Sequence, residues 1–296
     1  MLAFIIPYYK LTFFEATLQS LACQTDKRFK VYIGDDASPE NPSFLLEKYK
    51  DQFEFSYTRF ETNLGGVSLV QHWNRCIAMC NDCDWIMILG DDDVLGENCV
   101  AEFYANWNEI NAFTNVVRFS TYKIDGLGLL ISPQYKHPKM EYSTDFIFRN
   151  VRSSLSEYVF RKTQIIEIGF KDFPLAWQSD VLAVLEFSHY KNVYSINDAS
   201  VFIRISELSI SGKQDNLKLK YKAVFDFYYY LINNGLDFFS NIQKDKLYRQ
   251  VNKSYLNDKK NYMYILKLTK FYLRNFLFVY YFRFLKSIIL NILKIE

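Results

Sequence analysis

The apolar positions of the first hundred residues fall into short runs, separated by segments in which they recur at helical spacing. Strand-like runs lie at Leu2 to Pro7, Phe29 to Gly34, Phe55 to Arg59 and Trp85 to Leu89. Helical periodicity covers Phe13 to Ala22, Pro42 to Tyr49 and Val67 to Met79. This βαβαβαβ alternation predicts a mostly parallel sheet with helices on both faces and right-handed crossovers. The ends of such strands converge on one rim, which is where open α/β sheets bind ligands. Three of the four runs end in polar or special residues, namely Tyr8-Tyr9-Lys10, Asp35-Asp36-Ala37-Ser38 and Gly90-Asp91-Asp92-Asp93.

Beyond residue 110 the pattern is less regular. Val116 to Tyr122, Tyr158 to Arg161 and Val193 to Arg204 read as strands, Asp125-Gly126-Leu127-Gly128 as a hairpin, and Ser179 to His189 as a helix. Past Ser211 the signals are helical. The expected division is a first domain over 1–211, with halves at about 1–110 and 111–211, and a helical region over 212–296. Residues 262–296 are rich in Tyr, Phe, Leu and Ile, but no charge-free stretch of about 18 residues exists to span a bilayer. Lys267, Lys270 and Arg274 share one helical face, and Arg283, Lys286 and Lys294 share another. Two readings stay open: helices packed on the first domain, or amphipathic helices touching the inner leaflet of a membrane.

Composition narrows the class. Of 296 residues, 50% are apolar, enough for a large core, and a net charge of +2 gives no general basic field for nucleic acid. The first residues lack a charged leader region and read as a strand rather than a signal peptide. Cys23, Cys76, Cys80, Cys83 and Cys99 form an odd, sparse set that suits a reducing compartment, so a cytoplasmic location is expected. His72, Cys76 and Cys80 recur at intervals of four, yet the same helix carries Val70, Trp73 and Ile77. Core packing is the simpler reading, since structural zinc needs four convergent ligands.

The strongest chemical signal is Asp91-Asp92-Asp93 directly after a buried run. Adjacent carboxylates repel one another unless a cation or solvent intervenes, and oxygen ligands suit Mg²⁺ or Mn²⁺. A solvated acidic turn is the alternative.

Taken together, Ile5-Ile6-Pro7-Tyr8-Tyr9-Lys10, Ser20-Leu21-Ala22-Cys23-Gln24-Thr25, Gly34-Asp35-Asp36-Ala37-Ser38, Asn63-Leu64-Gly65-Gly66 and Leu89-Gly90-Asp91-Asp92-Asp93 resemble the family 2 glycosyltransferases. The resemblance runs over about residues 1 to 210 in the family's order. It implies a GT-A type, Rossmann-like α/β fold with a C-terminal helical extension, and a nucleoside-diphosphate sugar donor, with a UDP-sugar favoured. By the same resemblance Pro7 and Tyr9 flank the nucleotide base, Asp36 binds base or ribose, and Asn63 and Gly65 belong to a donor-side loop. Capping of a helix is the alternative for Asp36. Asp91, Asp92 and Asp93 cover the family's Asp-Xaa-Asp signature, although Gly90 stands where many members begin it. They are expected to hold Mn²⁺ or Mg²⁺, with Asp92 or Asp93 as the direct ligand and Asp91, like Asp92, also near the donor.

Asp180, at the start of a helix in Trp177-Gln178-Ser179-Asp180, resembles the family's catalytic base; Ser179 stands where many relatives carry Glu. Its alternative role is to stabilise the first helical turn. The implied reaction is inverting, metal-dependent transfer of a single sugar, of hexosyltransferase type, to a hydroxyl of a cell-surface polysaccharide or glycolipid precursor. The Gln-Xaa-Xaa-Arg-Trp motif of processive relatives is absent from the sequence. A sugar nucleotidyltransferase, which usually carries a Gly-rich basic loop near its first strand, and a non-catalytic sugar-binding protein are the competing readings.

Overall fold

The computed structural model describes residues 1–149, 153–209, 212, 215–257 and 261–293. The chain opens with β1 (Leu2–Tyr8), α1 (Phe14–Ala22), β2 (Phe29–Asp35), α2 (Ser43–Tyr49), β3 (Phe55–Arg59), α3 (Leu69–Ile77) and β4 (Trp85–Ile88). These strands lie parallel in the order β3-β2-β1-β4. β1 and β4 are apolar almost without interruption because both of their faces are covered, whereas β3, at the sheet edge, is largely exposed. α3 begins at Ser68, whose side chain accepts a hydrogen bond from the Gln71 N–H, an N-cap that sets where the preceding loop ends.

The sheet then continues with β5 (Val94–Leu95), β6 (Val116–Ile124), β7 (Met140–Tyr142), β8 (Tyr158–Arg161) and β9 (Asn192–Arg204), accompanied by α4 (Cys99–Ala105), α5 (Trp107–Phe113), α6 (Ser143–Phe146), α7 (Lys162–Ile168) and α8 (Ser179–Phe187). The strand order runs on from β4 as β8-β6-β9-β5, with β7 on β9. β8 is antiparallel to both β4 and β6, while β6 and β9 run parallel. The fold is therefore α/β with an open central sheet, parallel over β1 to β4 and mixed thereafter. β5 and β7 escape sequence reading because two and three residues are too few to show a period.

The register of β8 matters for function. Trp85 pairs with Arg161 and Met87 with Val159, so the residues entering β8 lie beside the residues leaving β4. Ser156 and Glu157 thus stand against Leu89 and Gly90.

Two compact units are present, Met1–Asp172 with Ser179–Lys213, and Phe173–Gln178 with Gln214–Glu296. The second contains α9 (Leu217–Asn234), α10 (Asn241–Leu256), α11 (Tyr262–Arg274) and α12 (Phe278–Leu293). α10 starts with a reciprocal capping box between Ser240 and Gln243. Among the described residues no helix is long and apolar enough to cross a membrane. Lys294, grouped above with Arg283 and Lys286, lies outside the described residues.

One expectation is corrected. Cys80 and Cys83, read from sequence as thiols, are joined as a disulfide. The turn between α3 and β4 brings their Cα atoms within 6.3 Å. Cys80 therefore has no thiolate to offer a metal. Cys76 is a buried free thiol whose pKa burial pushes up to about 12, which is the behaviour of a core residue.

Candidate functional site

Four loops leave the parallel half of the sheet, and side-chain hydrogen bonds hold their backbones in place. After β1, the N–H groups of Tyr9 and Lys10 both donate to Asp91 Oδ2 at 2.8 Å. The Ser38 hydroxyl donates to the Tyr9 carbonyl at 2.6 Å. Pro7 sits in β1 opposite Gly34, one step inside the rim, and Tyr9 is part-exposed beyond it.

After β2, two carboxylates turn inward. Asp35 is fully buried and accepts from the Ser38 N–H at 2.7 Å, the Tyr57 hydroxyl at 2.5 Å and Arg59 Nη1 at 2.8 Å. Asp36 accepts from the N–H groups of Leu64 at 2.8 Å and Gly65 at 2.9 Å, and it pairs with Arg75. A Cβ on Gly65 would stand 2.6 Å from Asp36 Oδ2, so only glycine lets the loop backbone approach this closely. Asn63 closes the same loop by accepting from the Gly66 N–H at 2.7 Å. Arg75 also donates to His72 Nδ1 at 2.9 Å and lies 4.0 Å from the centre of the Phe60 ring. Burial, ahead of the neighbouring charges, lowers the His72 pKa to about 4 and keeps the ring neutral.

After β4 comes the acidic turn. Asp93 is buried, with Oδ1 accepting from the Arg204 N–H at 2.9 Å and its carbonyl accepting from the Thr17 hydroxyl at 2.8 Å. Arg204 Nε donates to the Asp92 carbonyl at 2.9 Å and Nη1 to the Asp125 carbonyl at 2.8 Å. Asp92 is half-buried and its carboxylate receives no hydrogen bond among the described residues. Burial, then the neighbouring charges of Asp93 and Asp91, raise its pKa well above the ordinary carboxylate range. Burial also raises that of Asp91, opposed by the two N–H groups it accepts.

These contacts decide how a cation would be held. Asp91 is turned back onto the first loop, and among the described residues no three Asp, Glu, His or Cys side chains converge as a ligand set. Asp92 and Asp93 do converge: a Cβ on Gly90 would stand 2.9 Å from Asp92 Oδ1 and 3.2 Å from Asp93 Oδ2. Two neighbouring carboxylates suit a hard divalent cation, which takes its other ligands from phosphate and water.

Asp180 lies in the first turn of α8, half-buried, with Oδ2 accepting from the Ser153 hydroxyl at 3.0 Å. Ser153 Oγ is 2.8 Å from the Tyr158 hydroxyl, and Ser156 Oγ accepts from the Gly90 N–H at 3.0 Å. The short stretch from Ser153 to Tyr158 therefore bonds to the acidic turn at one end and to Asp180 at the other. Sequence reasoning missed Ser153, Ser156, Asp35, Arg59, Arg75 and Arg204. Arg204 carried a signal, being a charge at the end of a strand, while the serines carried none.

Comparison with known proteins bears on the family and the fold. The sequence matches the family model described as glycosyl transferase family 2 over residues 3–162. No curated protein matches it. Among solved structures, S. aureus TarS 1-349 superposes with a TM-score of 0.64 at 16% identity, over 88% of this chain and 73% of that one. The same protein in complex with UDP-GlcNAc gives 0.63 at 16% identity over the same shares. GalNAc-T7 with UDP, GalNAc and Mn²⁺ gives 0.53 at 11% identity, over 85% of this chain and 54% of that one. At these identities the likeness is one of fold.

Proposed function

The chain belongs to glycosyl transferase family 2 and is a nucleotide-sugar glycosyltransferase; from that premise we propose that it is an inverting, metal-dependent enzyme transferring a single sugar from a UDP-sugar to a hydroxyl of a polysaccharide or glycolipid precursor at the cytoplasmic face of a membrane. The observation that carries the reading is the mutual fastening of the rim loops, in which Asp91 accepts from Tyr9 and Lys10 while Asp36 accepts from Leu64 and Gly65. Such fastening presents Pro7, Tyr9, Asn63 and Gly65 as a preorganised wall for a nucleotide. Asp36 acts there as the residue that positions the loop of Asn63 and Gly65, and Asp91 as the one that positions Tyr9.

Asp92 and Asp93 would hold Mn²⁺ or Mg²⁺, which when bound neutralises the charge of the diphosphate leaving group. The remaining chemistry belongs to Asp180. Its carboxylate, oriented by the Ser153 hydroxyl, removes the proton of the acceptor hydroxyl as that oxygen attacks the anomeric carbon. Attack opposite the departing nucleoside diphosphate inverts the anomeric centre in one displacement.

The test uses Asp180→Asn, which preserves shape but cannot take a proton at neutral pH. Calorimetry should show UDP binding that is Mn²⁺-dependent and equal in wild type and variant, while single-turnover transfer falls by roughly 10² to 10⁴. Normal transfer with a lowered melting temperature would reduce Asp180 to a helix-start residue, and equal UDP affinity with chelator would remove the metal from the reading.

A further inference from the structure

The sequence between Asn261 and Leu293 contains Lys267, Lys270, Arg274, Arg283 and Lys286 and no acidic residue. The chain as a whole carries net charge +2, but residues 214–296 hold 15 Lys and Arg against 6 Asp and Glu. Part of this charge is paired inside the unit, as in Lys267 with Asp226 and Arg283 with Asp245, and more of it is carried on the surface of α11 and α12.

α12 packs by one face only. Tyr280 lies 4.4 Å, ring centre to ring centre, from Tyr248, and the fully buried Phe284 lies 5.4 Å from Tyr255 and 6.2 Å from Tyr272. The opposite side carries Phe278, Val279, Phe282, Lys286, Ile289 and Leu290, which fall within an arc of about 120° at 3.6 residues per turn. Their apolar members are exposed, Phe282 by 66% and Val279 by 63%. At the corner where α11 gives way to α12, Phe276 is 78% exposed, and α11 carries the exposed Leu266 and Leu273 of its own. Lys286 lies within that arc and Lys270 and Arg274 lie beside Leu273 on α11; none of the three makes an ion pair among the described residues, where the pairs of these helices are Lys267 with Asp226 and Arg283 with Asp245. Large aromatic and aliphatic side chains left in water cost free energy unless something covers them.

We propose that this face of α11 and α12 docks in the plane of a membrane rich in anionic lipid, with Phe276, Val279 and Phe282 entering the acyl boundary and Lys270, Arg274 and Lys286 meeting phosphate head groups. Charge selects this occupant over a second copy of the chain. A two-fold contact through the face would set one cationic patch against another, whereas an anionic surface neutralises these cations. Neither helix spans, so the attachment is interfacial. The inference deepens the proposed placement at a membrane by naming the surface and its lipid chemistry, and its test needs no sugar transfer.

The full-length protein is sedimented with vesicles of phosphatidylcholine mixed with phosphatidylglycerol, and with vesicles of phosphatidylcholine alone. Binding should require phosphatidylglycerol and weaken as salt rises. The pair Val279→Ser and Phe282→Ser should lower partitioning at least about tenfold, as should the triple change Lys270→Gln, Arg274→Gln and Lys286→Gln. UDP-induced thermal shift and circular dichroism should match wild type in both variants, which separates loss of the surface from loss of the fold. Equal binding to neutral vesicles, or partitioning that neither variant changes, would overturn the proposal. So would wild-type self-association that Val279→Ser with Phe282→Ser abolishes in the absence of vesicle binding. A protein that binds vesicles but not UDP would leave this inference standing and break the transferase reading of the donor site.

Discussion

The two acidic clusters at the rim, Asp35-Asp36 after β2 and Asp91 to Asp93 after β4, look alike in sequence and behave differently in the fold. The first pair is spent. Asp35 satisfies Ser38, Tyr57 and Arg59, and Asp36 satisfies Leu64, Gly65 and Arg75. In the second cluster Asp91 and Asp93 are similarly engaged, but Asp92 has like-charged neighbours and no hydrogen-bond donor among the described residues. A carboxylate filled by hydrogen bonds from the protein holds the protein together; one that receives none among the described residues is open to a ligand. The difference lies in the partners each one meets and not in the residue type.

The comparison breaks most visibly at Asp36. Asp36→Ala removes one member of a buried ion pair and two backbone hydrogen bonds, leaving Arg75 without its carboxylate. Urea denaturation should show a loss on the order of 3 to 5 kcal/mol, with activity lost alongside stability. An Asp36→Ala protein as stable as wild type would place Asp36 among the ligand-binding residues instead.

Asp92→Ala should do the reverse. Transfer should fall by at least about a hundredfold, the scale of losing stabilisation of a developing charge. The melting temperature should hold or rise, because a like-charge repulsion has been removed. Near-normal turnover would show that Asp93 alone suffices.

The smallest effect concerns His72 beside Asp36. Its folded pKa of about 4 lies below the ordinary 6.5, so in that window the unfolded state binds the proton and the folded state does not. This contribution to stability is complete above pH 6.5 and is lost as pH falls toward 4. In His72→Gln that part of the acid limb should flatten by up to about 3 kcal/mol, seen by melting between pH 7 and 4. An unchanged acid limb would assign the loss to the carboxylates alone.

What the sequence determined by itself was whatever depends on local period and on neighbours in the chain. The four parallel strands, their helices and the residues at each strand end follow from apolar periodicity, which reports a buried face without reference to any distant partner. The acidic turn was legible as a cluster because its three members are adjacent. The tertiary structure alone decided which carboxylates are satisfied, since Arg75 reaches Asp36 across 39 positions and Arg204 reaches Asp93 across 111. It also decided the antiparallel course of β8, which sets Ser156 against Gly90 and ties Ser153 to Asp180. A four-residue strand is apolar in either direction, so no local pattern encodes which way it runs. Hydrogen bonds depend on position in space to within a few tenths of an ångström, and that position is fixed only when the whole sheet has formed.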